Sequence, residues 1–230
     1  MAAPGILSTC SKLHSRFLDG LAPRDLERIL AAAKHRRYLA NSVIVNQGNP
    51  ADHLFLLTKG RARFFLITPE GQKIILHWLI PGEILGGAAL LHKSSVYFVS
   101  TEAVKETSIL AWDRATIRGL VARYPVLLEN TLFTASEYLA WYVAAHVALI
   151  SQSARQRLAH VLVSLAQSIG VNVPGGVEID VTNEELASTA NITPFTASHL
   201  LSEWQSNRAV EKRRGKVLLR SPERLFLHVV

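Results

Sequence analysis

Residues 182–204, TNEELASTANITPFTASHLLSEW, decide how this chain is read, together with the basic stretch EKRRGKVLL at 211–219. Thr182 and Glu185 stand three apart. At that spacing a threonine hydroxyl takes a free N–H of the first turn and the glutamate carboxylate reaches back to the cap's own N–H, so a helix starts here. Ala187 leaves room for a crossing helix. Asn191 tolerates the left-handed conformation that ends a helix, and Thr193 followed by Pro194 supplies an N-cap and an N1 proline for the next. The segment therefore predicts two helices joined by a tight turn.

On the second helix Ala197, Leu200, Leu201 and Trp204 share one side, and Phe195, Ser198, His199 and Ser202 share the other. The first set packs; the second is free to meet base edges, the alternative being an ordinary helical hairpin with a solvated outer face. Thr182, Thr193 and Thr196 complete the candidate DNA-binding set on the helices. Behind them, AVEK and VLLR read as two strands around Lys212, Arg213, Arg214, Gly215 and Lys216. A glycine at a hairpin tip among four cations suits close approach to phosphate oxygens, the sequence-independent part of DNA affinity. Between residues 208 and 224 seven cations face only Glu211 and Glu223, a local excess of five within a chain whose formal net charge is +7.

At 230 residues, 49% hydrophobic and 19% charged, the chain has the balance of a soluble protein with two modest domains. No run of about 18 apolar residues predicts a membrane span, and the first residues lack the cationic head and apolar core of a secretion signal, so the expected compartment is the cytoplasm. The single cysteine, Cys10, excludes an internal disulfide and an iron–sulfur cluster.

Upstream, a short helix is expected over 23–35, with strands taking over near Asn41. Turn signals at Gln47-Gly48, Lys59-Gly60, Pro69-Glu70-Gly71 and Pro81-Gly82 separate strands over 54–57, 62–67 and 74–79. A further pair over 96–101 and 108–112 closes the domain. Short strands at this regular interval predict a small antiparallel barrel or jelly roll. From Pro125 the period becomes helical: Leu128, Leu132, Ala135, Leu139, Tyr142, His146 and Leu149 are spaced alternately four and three apart. That is a heptad seam for a partner helix, the alternative being a stripe packed on the chain's own barrel. Another helix over 154–168 and a polar turn, VNVPGG at 171–176, lead into the DNA-reading unit. The expected organisation is α+β: a sensor barrel with an N-terminal helix over 1–122, a dimerisation helix over 123–152 and a winged helix-turn-helix over 153–230.

This order of parts resembles the cyclic-AMP receptor protein and FNR family of bacterial transcription regulators. The resemblance rests on VIVNQGNPADHLFLLTKGRARFF at 43–65, TPEGQKIILHWLIPGEILG at 68–86 and YPVLLENTL at 124–132, besides the helix-turn-helix. It implies a homodimer on near-palindromic double-stranded DNA, RNA polymerase as a partner, and an effector held between barrel and long helix.

The nucleotide pocket departs from the family pattern. Where cyclic-AMP binders carry a Gly-Glu pair, an Arg-Ser pair and a Thr-Ser pair, this chain has Gly86-Gly87, Tyr97-Phe98 and Tyr142-Val143. A buried phosphate deprived of its arginine loses about 2–5 kcal/mol, so cyclic AMP is not expected unless Lys93, Ser94 or Ser95 replaces the missing contacts. Leu85, Tyr97, Phe98, Tyr142 and Val143 make the region apolar enough for a hydrophobic ligand or haem. The iron ligands of the family's carbon-monoxide sensor, however, correspond to Gly86 and Ala88, leaving only His77 and His92. No cofactor is expected. A cupin-like metalloenzyme is the rival class, but His53, His77 and His92 form no His-x-His pair, so neither a metal site nor an enzyme is predicted. The family's base-reading arginine, glutamate and later arginine are replaced by Pro194, Phe195 and His199, so its usual operator does not carry over.

Overall fold

In a computed structural model of the chain the structure describes residues 13–93 and 95–226. Cys10 and Ser94 lie outside the described residues. The chain divides into two compact units, one containing residues up to 66 together with 76–140, the other residues 67–75 together with 141–230.

The first unit is a sandwich of two four-stranded antiparallel sheets. One has the order β1 (Lys34–Tyr38), β8 (Thr107–Asp113), β3 (His53–Lys59), β6 (Ile84–Leu85); the other β2 (Val43–Val45), β7 (Ser100–Ala103), β4 (Ala62–Ile67), β5 (Lys73–Leu79). The runs HLFLLTK and TSILAWD are almost continuously apolar because their sheet is buried on both faces. Leu54, Leu56, Leu110 and Trp112 pack with Phe17, Ile29 and Leu30 beneath helix α1 (Pro23–Ala31), while Phe55, Leu57, Ile109 and Ala111 meet Phe64, Leu79 and Tyr97 of the sandwich interior. The Trp112 indole N–H, carried into that core, donates to the Ile29 carbonyl at 2.8 Å.

Three expectations are corrected. Strand structure begins at Lys34 rather than Asn41, so the opening helix ends at Ala31. The strands expected to close the domain as a pair belong to different sheets: β7 pairs with β2 and β4, β8 with β1 and β3. Residues 96–101 are strand only from Ser100, Val96 forming an isolated bridge to Pro50. A further helix, α2 (Arg114–Arg123), capped by the Asp113 carboxylate, follows β8.

The long helix α3 (Val126–Ser151) has 26 residues. In the second unit α4 (Ala154–Ser168), started by a Ser153–Gln156 capping box, packs with α5 (Asn183–Ala190) and α6 (Pro194–Ser206) around Leu158, Leu162, Leu186, Leu201 and Trp204. The turn expected over 171–176 is the tip of a hairpin, β9 (Val171–Val173) and β10 (Gly176–Asp180), which joins β11 (Val210–Arg213) and β12 (Lys216–Leu219) in a sheet ordered β11-β12-β10-β9.

Candidate nucleic-acid interface

Short-range chemistry builds the helix pair. The Thr182 hydroxyl accepts from Glu185 N at 3.2 Å while the Glu185 carboxylate accepts from Thr182 N at 2.8 Å. Asn191 ends α5 with φ of 50°. Thr193 caps α6, its hydroxyl accepting from Thr196 N at 3.1 Å and lying 2.8 Å from the Thr196 hydroxyl. Arg157 of α4 locks the turn from behind, donating to the carbonyls of Ala190 and Asn191 at 3.0 and 3.2 Å. Those carbonyls end a helix and have no helical partner. No local pattern in the sequence announced Arg157, because it lies 33 residues from Ala190.

With the turn locked, α6 presents the two faces the sequence predicts. Ala197, Leu200, Leu201 and Trp204 are buried, whereas Phe195 is 80% exposed and His199 and Ser202 are also open. The polar members are not all free. Ser202 donates to the Ser198 carbonyl at 2.9 Å and accepts from Lys212 Nζ at 3.1 Å. His199 has no hydrogen-bond partner among the described residues.

The wing differs from its sequence reading in one respect. Arg214 and Gly215 form the tip between the paired residues Arg213 and Lys216, Gly215 taking the positive φ of 69° that the turn requires. Arg213 donates to Glu178 at 2.9 Å and to Glu211 at 3.0 Å, Lys216 donates to Glu178 at 2.6 Å, and Arg220 pairs with Glu211. Arg213 and Lys216 were expected to stand free for phosphate; both are ion-paired. The reason is the hairpin missed at 171–176, which carries Glu178 onto β12 opposite Leu218, beside these cations. Lys216 and then Arg213 hold the Glu178 carboxyl below its ordinary range, and Arg220 and Arg213 do the same for Glu211. Among the described wing residues Arg214 is a tip cation without an ion pair.

In the first unit the predicted effector residues separate. Leu85 and Tyr97 belong to the sandwich core. The Tyr97 hydroxyl both donates to His53 O and accepts from His53 N, each at 3.1 Å, and burial raises its pKa. Gly86 has φ of 82°, and a Cβ there would lie 2.5 Å from the His53 carbonyl, so this glycine serves the backbone's close approach. A Cβ on Gly87 would meet the Thr131 methyl at an ordinary 3.6 Å, so no strain demands glycine there. Phe98, expected to line a pocket, is 67% exposed, whereas its neighbour Tyr97 is buried. Tyr142, half-buried, and Val143, exposed, belong to the second unit. Gly87 carries no side chain, and the Tyr97 hydroxyl is tied to the His53 backbone.

The helix residue that the sandwich takes in is Tyr138, which sequence reasoning missed. Its ring lies 4.9 Å from His77 and edge-on to Phe64, its hydroxyl is 3.5 Å from Glu83, and Glu83 also accepts from Ile80 N at 2.7 Å and meets His77 Nε2 at 3.2 Å. Beside this cluster is a cleft of about 240 Å³ reached by Arg16, Thr134 and Glu137, below the ~300–1,000 Å³ of most small-molecule sites. The other sensor histidines are separately engaged: His53 with Arg36 at 2.9 Å and His92 with Arg118 at 3.1 Å. Burial, then the Arg36 charge, lowers the His53 pKa.

On α3 the sandwich-facing positions are Leu127, Thr131, Thr134 and Tyr138, spaced four, three and four. Asn130 ties the same side down, donating to the carbonyls of Phe17 and Asp19 at 3.1 and 2.9 Å. The heptad stripe lies elsewhere. Leu128, Leu132, Ala135 and Leu139 are exposed, Leu132 at 67% and Leu139 at 65%, so in the first unit the stripe does not pack on its own barrel. Farther along, His146 and Leu149 are exposed as well. Among the described residues no group of three or more His, Cys, Asp or Glu side chains could hold a metal ion, and no helix is long and apolar enough to cross a membrane.

Known proteins agree with this geometry in both units. Residues 35–124 match the family model of the cyclic nucleotide-binding domain, and residues 156–226 match that of the Crp-like helix-turn-helix domain. The chain is 28% identical over 206 residues to the cyclic AMP receptor protein of Thermus thermophilus, covering 90% of this chain and 93% of that protein. It is 23% identical to the transcriptional activatory protein AadR of Rhodopseudomonas palustris, covering 83% and 79%. Among solved structures, the c-di-GMP-responsive global regulator CLP of Xanthomonas campestris shares the fold with a TM-score of 0.77 at 20% identity, over 86% of this chain and 99% of that one.

Proposed function

For a chain that belongs to the Crp/Fnr family of transcription regulators, as its two domain matches and its relatives show, we propose a homodimer that binds near-palindromic double-stranded DNA and acts on RNA polymerase in the cytoplasm. The observation that carries the reading is the outer face of α6, whose first turn is fixed by the Thr193 cap and which exposes Phe195 and, one turn on, His199. A recognition helix meets base edges with its N-terminal residues, and a two-fold axis would set two such helices on half-sites about 34 Å apart. The open stripe Leu128, Leu132, Ala135, Leu139, His146 and Leu149 supports a parallel partner helix. Residues 1–122 then serve as sensor, 123–152 as the dimer element and 153–230 as the DNA reader.

Cyclic AMP is not the effector in this reading, and neither a cofactor nor a catalytic role is assigned. Gly87 and Phe98 offer no carboxylate, guanidinium or hydroxyl to a cyclic nucleotide, and the Tyr97 hydroxyl is taken by the His53 backbone. A ligand at 100 times its Kd would add about 2.7 kcal/mol to stability, so millimolar cyclic AMP should leave both the melting temperature and the DNA affinity unchanged.

Selection from a random-sequence duplex library with the purified protein, followed by footprinting, tests the reading. The expected result is a two-fold-related motif bound by a dimer in sedimentation. Replacing Leu132 and Leu139 together by glutamate should give a monomer whose operator affinity is at least about tenfold lower, since charges at seam positions oppose burial. A wild-type chain that enriches no motif would overturn the proposal.

A further inference from the structure

We infer that Phe195 reads pyrimidine 5-methyl groups in the DNA major groove, so that the operator carries thymine beneath the first turn of α6. The inference rests on the DNA-binding reading above and names what that helix recognises. Phe195 is the most exposed large apolar side chain among the described residues, at 80%. Its place is fixed: Pro194 occupies the first helical position, Thr193 caps the turn, and the inner face is filled by Ala197, Leu200, Leu201 and Trp204. The ring therefore cannot fold back into the core, and folding does not bury it.

The surrounding polar groups do not compete for the same base. The Thr193 and Thr196 hydroxyls lie against each other at 2.8 Å, and Ser202 is engaged by the Ser198 carbonyl and Lys212. Gln205 Oε1 accepts from Lys212 N at 3.1 Å. His199, one turn along from Phe195, is left as the free long polar side chain of the outer face. A first turn that projects an aromatic ring and few free hydrogen-bonding groups suits the apolar feature of the major groove, the thymine C5 methyl, which aliphatic and aromatic side chains contact. Insertion of the ring between base steps is the use of apolar wedges in the minor groove, whereas a recognition helix enters the major groove.

The test uses the full chain and the duplex selected by it. Each thymine of that site is replaced in turn by deoxyuridine, which keeps every hydrogen-bonding group and removes only the methyl. At one thymine per half-site the replacement should weaken binding about fourfold, and about fifteenfold when both half-sites are changed, the value of burying one methyl in each. Phe195→Ala should melt at the wild-type temperature and show no deoxyuridine penalty at that position, while Phe195→Leu keeps part of it. With cytosine placed there, adding its 5-methyl group should recover affinity in the wild type but not in Phe195→Ala. Deoxyuridine without effect at every thymine, or an equal penalty in Phe195→Ala, would overturn the inference. If the wild-type chain retained no duplex, the DNA-binding reading itself would fail, a separate outcome.

Discussion

The wing carries Arg213, Lys216 and Arg220 already paired, whereas the outer face of α6 carries no ion pair except Arg155 with Glu203 at its rear edge, at 2.6 Å. Both lie in the second unit. The difference shows that charge density and available charge are separate quantities. Glu178 and Glu211 hold Arg213, Lys216 and Arg220 in a pre-ordered row. Exposed pairs of this kind contribute little to stability, so a phosphate can replace a carboxylate at small cost. Affinity without sequence preference then resides in the wing and discrimination in α6, the division that phosphate and base contacts usually show.

The largest effect expected separates the faces of α6 itself. Trp204 is fully buried, so Trp204→Ala should cost about 3–5 kcal/mol, against a change within about 0.5 kcal/mol for an exposed residue such as Phe195. Denaturant titration reads both; similar losses would erase the distinction between a packing face and a reading face.

Next comes the wing tip. Arg214→Ala should lower affinity for operator and random duplex alike by about tenfold, the value of one charge-assisted hydrogen bond, and make the salt slope shallower by about 0.9. Arg213→Ala should do less, because that guanidinium must first leave Glu178 and Glu211. Equal losses in filter-binding titrations would show that the pairs do not restrain the wing.

Removing a restraint should act in the opposite direction. Glu178→Gln should raise affinity for both duplexes several-fold and steepen the salt slope, since Lys216 and Arg213 would then reach phosphate uncompensated. Unchanged binding would make Glu178 a bystander.

The smallest effect is with pH. The carboxyls of Glu178 and Glu211 lie below their ordinary value of 4.5. A lowered carboxyl pKa means that the pairs are complete above 4.5 and are lost only as pH falls through the lower folded value. Between about pH 6 and 8 the wing should therefore add no pH dependence to random-duplex affinity. A slope there that disappears in Glu178→Gln would contradict the pairing.

The helix-turn-helix was legible because its determinants are local. Thr182 with Glu185, Asn191, and Thr193 with Pro194 act over three or four residues, and α4 and the strand over 62–67 were legible for the same reason. The heptad stripe was visible too, since a period needs no partner to be counted. Tyr138 was not, although Leu127, Thr131, Thr134 and Tyr138 keep a helical spacing of their own: two interleaved stripes on one helix do not say which of them a sandwich will cover.

Pairing over long separation was the other thing hidden. The strands over 96–101 and 108–112 are neighbours in sequence, yet they enter different sheets. Glu178 lies 35 residues from Arg213, and with 171–176 read as a turn nothing placed it beside the wing.

By itself, then, the sequence determined the helix-turn-helix, α4, the strand over 62–67 and the two faces of α6, because capping, periodicity and turn chemistry are decided within one or two turns of chain. The tertiary structure alone decided which cations are free, which glycine is obligatory, and that Tyr97 points inward while Phe98 points out. Those properties depend on what the fold brings alongside each residue, and Coulomb attraction, steric exclusion and burial act through space rather than along the chain.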